Sequence, residues 1–245
     1  PDNIKSLVSD PTADKIIMDS ETEDQAELFT LRTINSETGE GTITVHSVPI
    51  KYVDSTGKMQ FIDTSMQPIA AAESVQSGFV YRNAANSFLV EFGNTASKGI
   101  NFNNAFTFEA NPNAASNKAS QIQSSQVQAE NGYGKVIYPS AFGSNTKIEY
   151  INTENGLKEN IILDKYTGQN RFEFTFRSDT HIPVLANNGA NILVVDKNNP
   201  EKIEYRFLSL YAYDSYDPAK DSEQQGSDFR HMNEDLYYEL ADNED

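Results

Sequence analysis

The chain has 245 residues, 38% of them hydrophobic, and a formal net charge of −17. That length and apolar content supply a full hydrophobic core, and the charge repels phosphate backbones and anionic membrane faces, so neither nucleic-acid binding nor membrane insertion is expected. There is no cysteine, which excludes disulfides, iron–sulfur clusters, thiolate zinc sites and a cysteine nucleophile.

No apolar run approaches the roughly 18 residues of a membrane-spanning helix. No signal peptide is visible; the chain begins at Pro1 rather than Met, so it is expected to be trimmed, and a removed leader or a missing upstream domain would not show.

Residues 1–27 are mostly polar and acidic, with Ile16-Ile17-Met18 their longest apolar run. They read as a lead-in holding one short strand or a turn of helix. Phe29 and Leu31 then alternate with Thr30 and Arg32, the period-two signal of a strand. Ser36 to Gly41 is a turn, because its glycines permit positive φ. Ile43 and Val45 share one face of the next strand. Pro49 lacks an N–H and belongs at an edge, a bulge or a strand start.

Phe88, Val90 and Phe92 alternate with Ser87, Leu89 and Glu91, and Phe106 and Phe108 form a shorter pair. The segment 110–132 is rich in Asn, Ala, Ser and Gln. It reads as a long surface loop or as a linker, with room for a short helix. Gly132-Tyr133-Gly134-Lys135 lacks the strand-to-helix context of a phosphate loop and reads as a turn.

Phe172, Phe174 and Phe176 alternate with charged or polar neighbours. So do Ile203, Tyr205 and Phe207, each triplet giving one dry face and one wet face. Asn191 to Val195 reads as a strand buried on both faces. Tyr237 to Leu240 reads as one more strand. No helical stripe exceeds about two turns.

Three segments share one plan of strand, polar turn and strand: Lys51–Asp63, Lys147–Leu163 and Asn191–Leu208. Their turns fall at Ser55-Thr56-Gly57, Glu154-Asn155-Gly156 and Lys197 to Pro200, and Asn-Gly is the strongest short hairpin signal among them. About twelve to sixteen strands follow, more than a small immunoglobulin-type unit holds. The expected fold is all-β, a large antiparallel β-sandwich of the supersandwich kind. Residues 28–245 form one domain, or two stacked halves at 28–110 and 132–245 joined by the polar loop 111–131.

Chemistry-bearing residues are scattered. His46, His181 and His231 lie far apart, without the spacing of a zinc site; His46 reads as a strand residue and His181 as a turn residue. No GxSxG or SxxK motif marks a nucleophilic serine. Paired carboxylates remain, and Glu159, Glu173 and Glu204, on strand faces beside aromatics, are the first suspects for glycoside chemistry. Solvated sheet faces are the simpler reading of them, and no catalytic residue is singled out.

The acidic run of Asp214, Asp217 and Asp221 reads as a calcium site or as a solvated loop, since it lacks the spacing of a calcium-binding loop. No other cofactor is expected. Tyr211, Tyr213 and Tyr216 read as a sugar platform or as sheet packing; the absence of Trp removes the strongest stacking residue.

Val48-Pro49-Ile50-Lys51-Tyr52, followed by Gly57-Lys58-Met59-Gln60-Phe61-Ile62-Asp63, resembles a recurring motif of large secreted bacterial proteins. That motif runs Pro-(Val/Ile)-x-Tyr, a polar turn, Gly-x-Trp, then Ile-Asp. It belongs to wall-associated, YD-repeat (Rhs-like) and polymorphic-toxin proteins, mostly Gram-positive. Asn86 to Phe92 is similar to that family's Asn-x-Phe strand, and Leu157 to Ile161 to its Lys-Glu-x-(Ile/Leu) strand. This chain has Met59 where the family has Trp.

The resemblance implies a non-enzymatic, β-rich structural or adhesion module of a larger cell-surface or secreted protein. It implies a place outside a Gram-positive cell, secreted or wall-associated. The expected partners are other domains of the same polypeptide and cell-wall or host glycans; a carbohydrate-binding module is the alternative, and a glycan-active enzyme the third reading. The motif carries no catalytic or metal residue, and Pro49, Tyr52, Gly57 and Asp63 take architectural roles.

Overall fold

A computed structural model of the chain describes residues 15–17, 25–111, 127–130, 134–165, 168–214, 232–233 and 235–241. The fold is all-β and of sandwich type, with antiparallel sheets and one short helix among the described residues. The chain divides into two units, 1–175 and 176–245, described in turn.

The first unit opens with β1 (Lys15–Ile17), β2 (Thr30–Ile34) and β3 (Gly41–Val45), paired antiparallel in that order. The turn from β2 to β3 is held by Asn35, whose Oδ1 accepts the N–H groups of Glu37 and Thr38, both at 2.9 Å. Ile43 and Val45 are 62% and 73% exposed, because β3 is an edge strand.

The expected hairpin at residues 51–61 is present as β4 (Lys51–Val53) and β5 (Met59–Phe61). Asp54 closes it. Its Oδ1 accepts N–H groups from Thr56 at 2.9 Å and Lys58 at 3.0 Å. Gly57 takes φ of +81°, which an L side chain resists. Beneath β4, the Lys51 ammonium is buried 3.9 Å from the Glu27 carboxylate, which also pairs with Arg32.

A six-stranded antiparallel sheet follows: β6 (Asp63–Pro68), β7 (Phe79–Ala85), β8 (Val90–Gly93), β9 (Ile100–Phe102) and β10 (Phe106–Ala110) neighbour in chain order. Between β6 and β7 lies α1 (Ala71–Ser77), ended by Gly78 at φ 77°. The sequence shows no stripe for α1, and the structure gives the reason: none of its residues is buried and Val75 is 88% exposed.

The second sheet is β11 (Gln128–Glu130), β12 (Lys135–Tyr138), β13 (Thr146–Asn152) and β14 (Leu157–Leu163), again in chain order. The β13–β14 hairpin turns at the predicted Asn155-Gly156, with a full register from Thr146↔Leu163 to Asn152↔Leu157. β15 (Phe174–Arg177) returns to the edge of the six-stranded sheet beside β10.

These two sheets share one core. Val90 and Phe92 of β8, Val136 and Tyr138 of β12, and Ile148 and Tyr150 of β13 alternate inward and are buried. Each large apolar side chain so buried contributes about 1.5–3 kcal/mol. The Tyr150 ring lies 5.8 Å from Phe92 and edge-on to Tyr138 at 6.0 Å. The Tyr138 hydroxyl donates to the Gly93 carbonyl at 2.9 Å, a bond from one sheet to the other.

Strands on both sides of 111–131 therefore build the same core. Most of that polar segment lies outside the described residues; its described end forms β11. Phe174 stacks on Phe108 at 4.4 Å, and Phe172 meets Phe142 edge-on. Phe172 and Phe174 thus pack as their spacing suggests, although the ladder begins only at Phe174.

The second unit is a three-stranded antiparallel sheet of β16 (His181–Ala186), β17 (Asn191–Asp196) and β18 (Asn199–Phe207). Beside it in sequence, β19 (Ala212–Tyr213) pairs with β20 (Met232–Asn233). Ile192, Val194 and Val195 are buried, as the apolar run predicts.

Two expectations need correction here. Tyr237 to Leu240 is not a strand; it is pinned instead by Tyr238, whose N–H donates to Gly189 O at 2.7 Å and whose hydroxyl donates to Leu208 O at 3.0 Å. The described strands number twenty, above the expected range, because several are only two or three residues long.

Candidate functional site

Of the predicted calcium ligands, Asp214 is described and exposed beyond β19, while Asp217 and Asp221 lie outside the described residues. Among the described residues no three acidic or histidine side chains gather closely enough to hold a metal ion. Tyr211 and Tyr213 are 50% and 47% exposed. Two residues apart on an extended backbone, they face the same way. Their rings stack with centroids 6.2 Å apart and planes at 18°. Tyr216 and His231 lie outside the described residues.

The three suspected carboxylates have separate surroundings. Glu173, just before β15, pairs with Arg171 at 3.1 Å. Glu159 sits on β14 directly opposite Tyr150 of β13. Its carboxyl is pushed up to about 7 by burial, a shift that the hydrogen bond from the Tyr150 hydroxyl opposes. Glu159 as a residue is nonetheless exposed, so water screens part of that shift.

An open concavity of about 240 Å³ lies in the first unit beside the β7–β8 loop, lined by Tyr52, Asn83, Asn86, Phe88 and Asn103 among others. Its amides hold backbone. Asn83 donates through Nδ2 to Phe88 O at 2.7 Å and accepts from Val90 N–H at 3.0 Å. Asn103 Oδ1 accepts from Leu89 N–H at 2.6 Å, and Asn86 Nδ2 donates to Thr153 O at 2.9 Å. These neutral groups can bind a polar ligand; they offer no proton donor or acceptor suited to catalysis at neutral pH.

The most developed polar constellation is in the second unit. His181 is not a turn residue: it opens β16 and is only 9% exposed. Its Nε2 lies 3.0 Å from Glu204 Oε2, and its Nδ1 lies 2.8 Å from the hydroxyl of exposed Thr180. The preceding turn fixes this geometry. Ser178 Oγ accepts the N–H groups of Thr180 at 3.2 Å and His181 at 2.9 Å, and Lys197 N–H donates to Thr180 O at 2.8 Å.

Glu204 reaches His181 through a bulge. Val194 pairs with Tyr205 and the next residue, Val195, pairs with Ile203, so Glu204 is an extra residue outside the ladder. Bulges of this kind re-aim a side chain. This also corrects the expected dry face of β18: alternation breaks between Ile203 and Tyr205, and Ile203 is 40% exposed. Lys202, 2.5 Å from Glu204, and then His181 hold the Glu204 carboxyl below the ordinary carboxylate range.

That charge state fixes the imidazole. An ionised carboxylate only accepts, so His181 Nε2 carries the hydrogen. In the neutral ring Nδ1 is then bare and accepts the Thr180 hydroxyl proton. The sequence hides this arrangement because Thr180 and His181 are adjacent while Glu204 lies far along the chain; a lone Glu inside an alternating strand gives no sign of a bulge. Comparison with family models, with curated proteins and with solved structures finds no match to this chain.

Proposed function

We propose that the chain is a non-enzymatic structural and adhesion module of a larger bacterial protein, secreted or displayed at the cell surface. The observation that supports this reading is where the first unit spends its buried polar side chains. Buried Asn83, Asn152 and Tyr138, with half-buried Asn103 beside them, bond main-chain groups of neighbouring strands or loops. Such bonds stiffen a scaffold. The resemblance of residues 48–63 to wall-associated and YD-repeat proteins points the same way. A turnover screen on cell-wall and host glycans should then be blank. Reproducible product formation that disappears on changing one carboxylate would reject the reading.

A second reading, carbohydrate binding, is favoured by one observation: the exposed, nearly parallel rings of Tyr211 and Tyr213. Flat aromatic faces stack on the apolar faces of sugar rings. Glycan-array binding lost in Tyr213→Ala would support it, and an array that stays flat for the parent chain would count against it.

A further inference from the structure

Thr180, His181 and Glu204 stand in line. The hydroxyl of exposed Thr180 meets Nδ1 of a buried imidazole at 2.8 Å, and the opposite ring nitrogen meets a carboxylate at 3.0 Å. Hydroxyl, base and orienting acid within hydrogen-bond reach are the parts of an activated nucleophile. Three features show that the line is built. The Ser178 turn fixes the backbone of both Thr180 and His181. The β18 bulge delivers Glu204. The Tyr205 ring, 5.7 Å from the imidazole, covers its side.

We propose that Thr180 is a histidine-activated acyl acceptor, taking acyl groups from activated esters or thioesters. In the step, Thr180 Oγ bonds to the acyl carbon while its proton passes to His181 Nδ1. The bond from the acyl carbon to the leaving oxygen or sulfur breaks, and the leaving group departs with that bond's electron pair. The imidazolium, held by Glu204, returns its proton to the leaving group or to water. The product is an ester on Thr180. Glu204 is a positioning residue, because it touches the base and Lys202 but not the reacting hydroxyl. This goes beyond an adhesion role: it gives the module a covalent means of attachment, and it is independent of glycan turnover or binding.

The test uses the whole chain and p-nitrophenyl acetate. Release of nitrophenolate and peptide mass mapping are read together. One acetyl group per chain is expected on Thr180 and none at position 180 of Thr180→Ala, with nitrophenolate released at least about a hundredfold faster by the parent than by Thr180→Ala or His181→Gln, the low end for general-base assistance. Thr180→Ser should retain the reaction. Glu204→Gln should slow the reaction and Glu204→Asp should restore it in part, while far-UV circular dichroism stays unchanged in both. Thr180 is exposed, so Thr180→Ala keeps its fold and carries the decision even if His181→Gln does not. Acetyl groups confined to lysines, with equal release from the parent and Thr180→Ala, would overturn the proposal.

Discussion

Tyr138→Phe removes one oxygen from the middle of the first unit. The Tyr138 side chain is 1% exposed, and its hydroxyl donates to Gly93 O at 2.9 Å across the two sheets. Burial drives the hydroxyl's pKa far up, so it stays a donor at any pH the fold survives. Losing one such bond costs about 1–1.5 kcal/mol. For a unit of this size that lowers Tm by roughly 2–6 °C. Tyr138→Ala also removes the ring that meets Tyr150 edge-on, and the cost rises to about 3–5 kcal/mol. Urea unfolding of the whole chain, followed by far-UV circular dichroism, measures both. If Tyr138→Phe is neutral and Tyr138→Ala costs under about 1 kcal/mol, the two sheets do not meet through this residue and the shared core is wrong.

Other outcomes follow from single residues. The Glu159 carboxyl titrates near 7 when folded and near its ordinary 4.5 when unfolded, so the folded chain holds the extra proton between those values. Stability should fall as pH rises through that window, by about 1 kcal/mol after solvent screening. Glu159→Gln should flatten the dependence; an unchanged pH profile refutes it. Asp54 is held down to about 2, first by the Thr56 hydroxyl. Its contribution is present above 3.8 and lost as pH falls towards 2, and carboxyl NMR should show that low midpoint. Gly99 has φ of +66°, and a Cβ there would stand 2.1 Å from Phe108 O. Gly99→Ala should cost at least about 2 kcal/mol; a near-neutral melting curve would show that the β9–β10 backbone is placed wrongly.

Hairpins were the most legible part of the fold. Asp54 to Gly57 and Asn155-Gly156 carry their turn chemistry in consecutive residues, and alternation at Val90 and Phe92 marks a buried face that the core uses. What stayed hidden depends on tertiary context. α1 buries nothing, so it leaves no periodic trace. Ile43 and Val45 share a face as read, yet they are 62% and 73% exposed, because no sheet among the described residues covers edge strand β3 on that side. The site was legible only in fragments: His181 and Glu204 each stood out, but the bulge that joins them adds a residue without disturbing the local pattern. The pair at Tyr211 and Tyr213 was visible as spacing, and the ring stacking needed coordinates.

Amide hydrogen exchange on the intact chain tests the rigid-module account most directly. The account predicts that Leu89 and Val90, at the loop end of β8 and with N–H groups held by Asn103 and Asn83, exchange as slowly as the ladder amides of β12 and β13. Rapid exchange at these two positions, beside slow exchange in the strands, would reveal an opening loop over the concavity and contradict a scaffold clamped by its own amides.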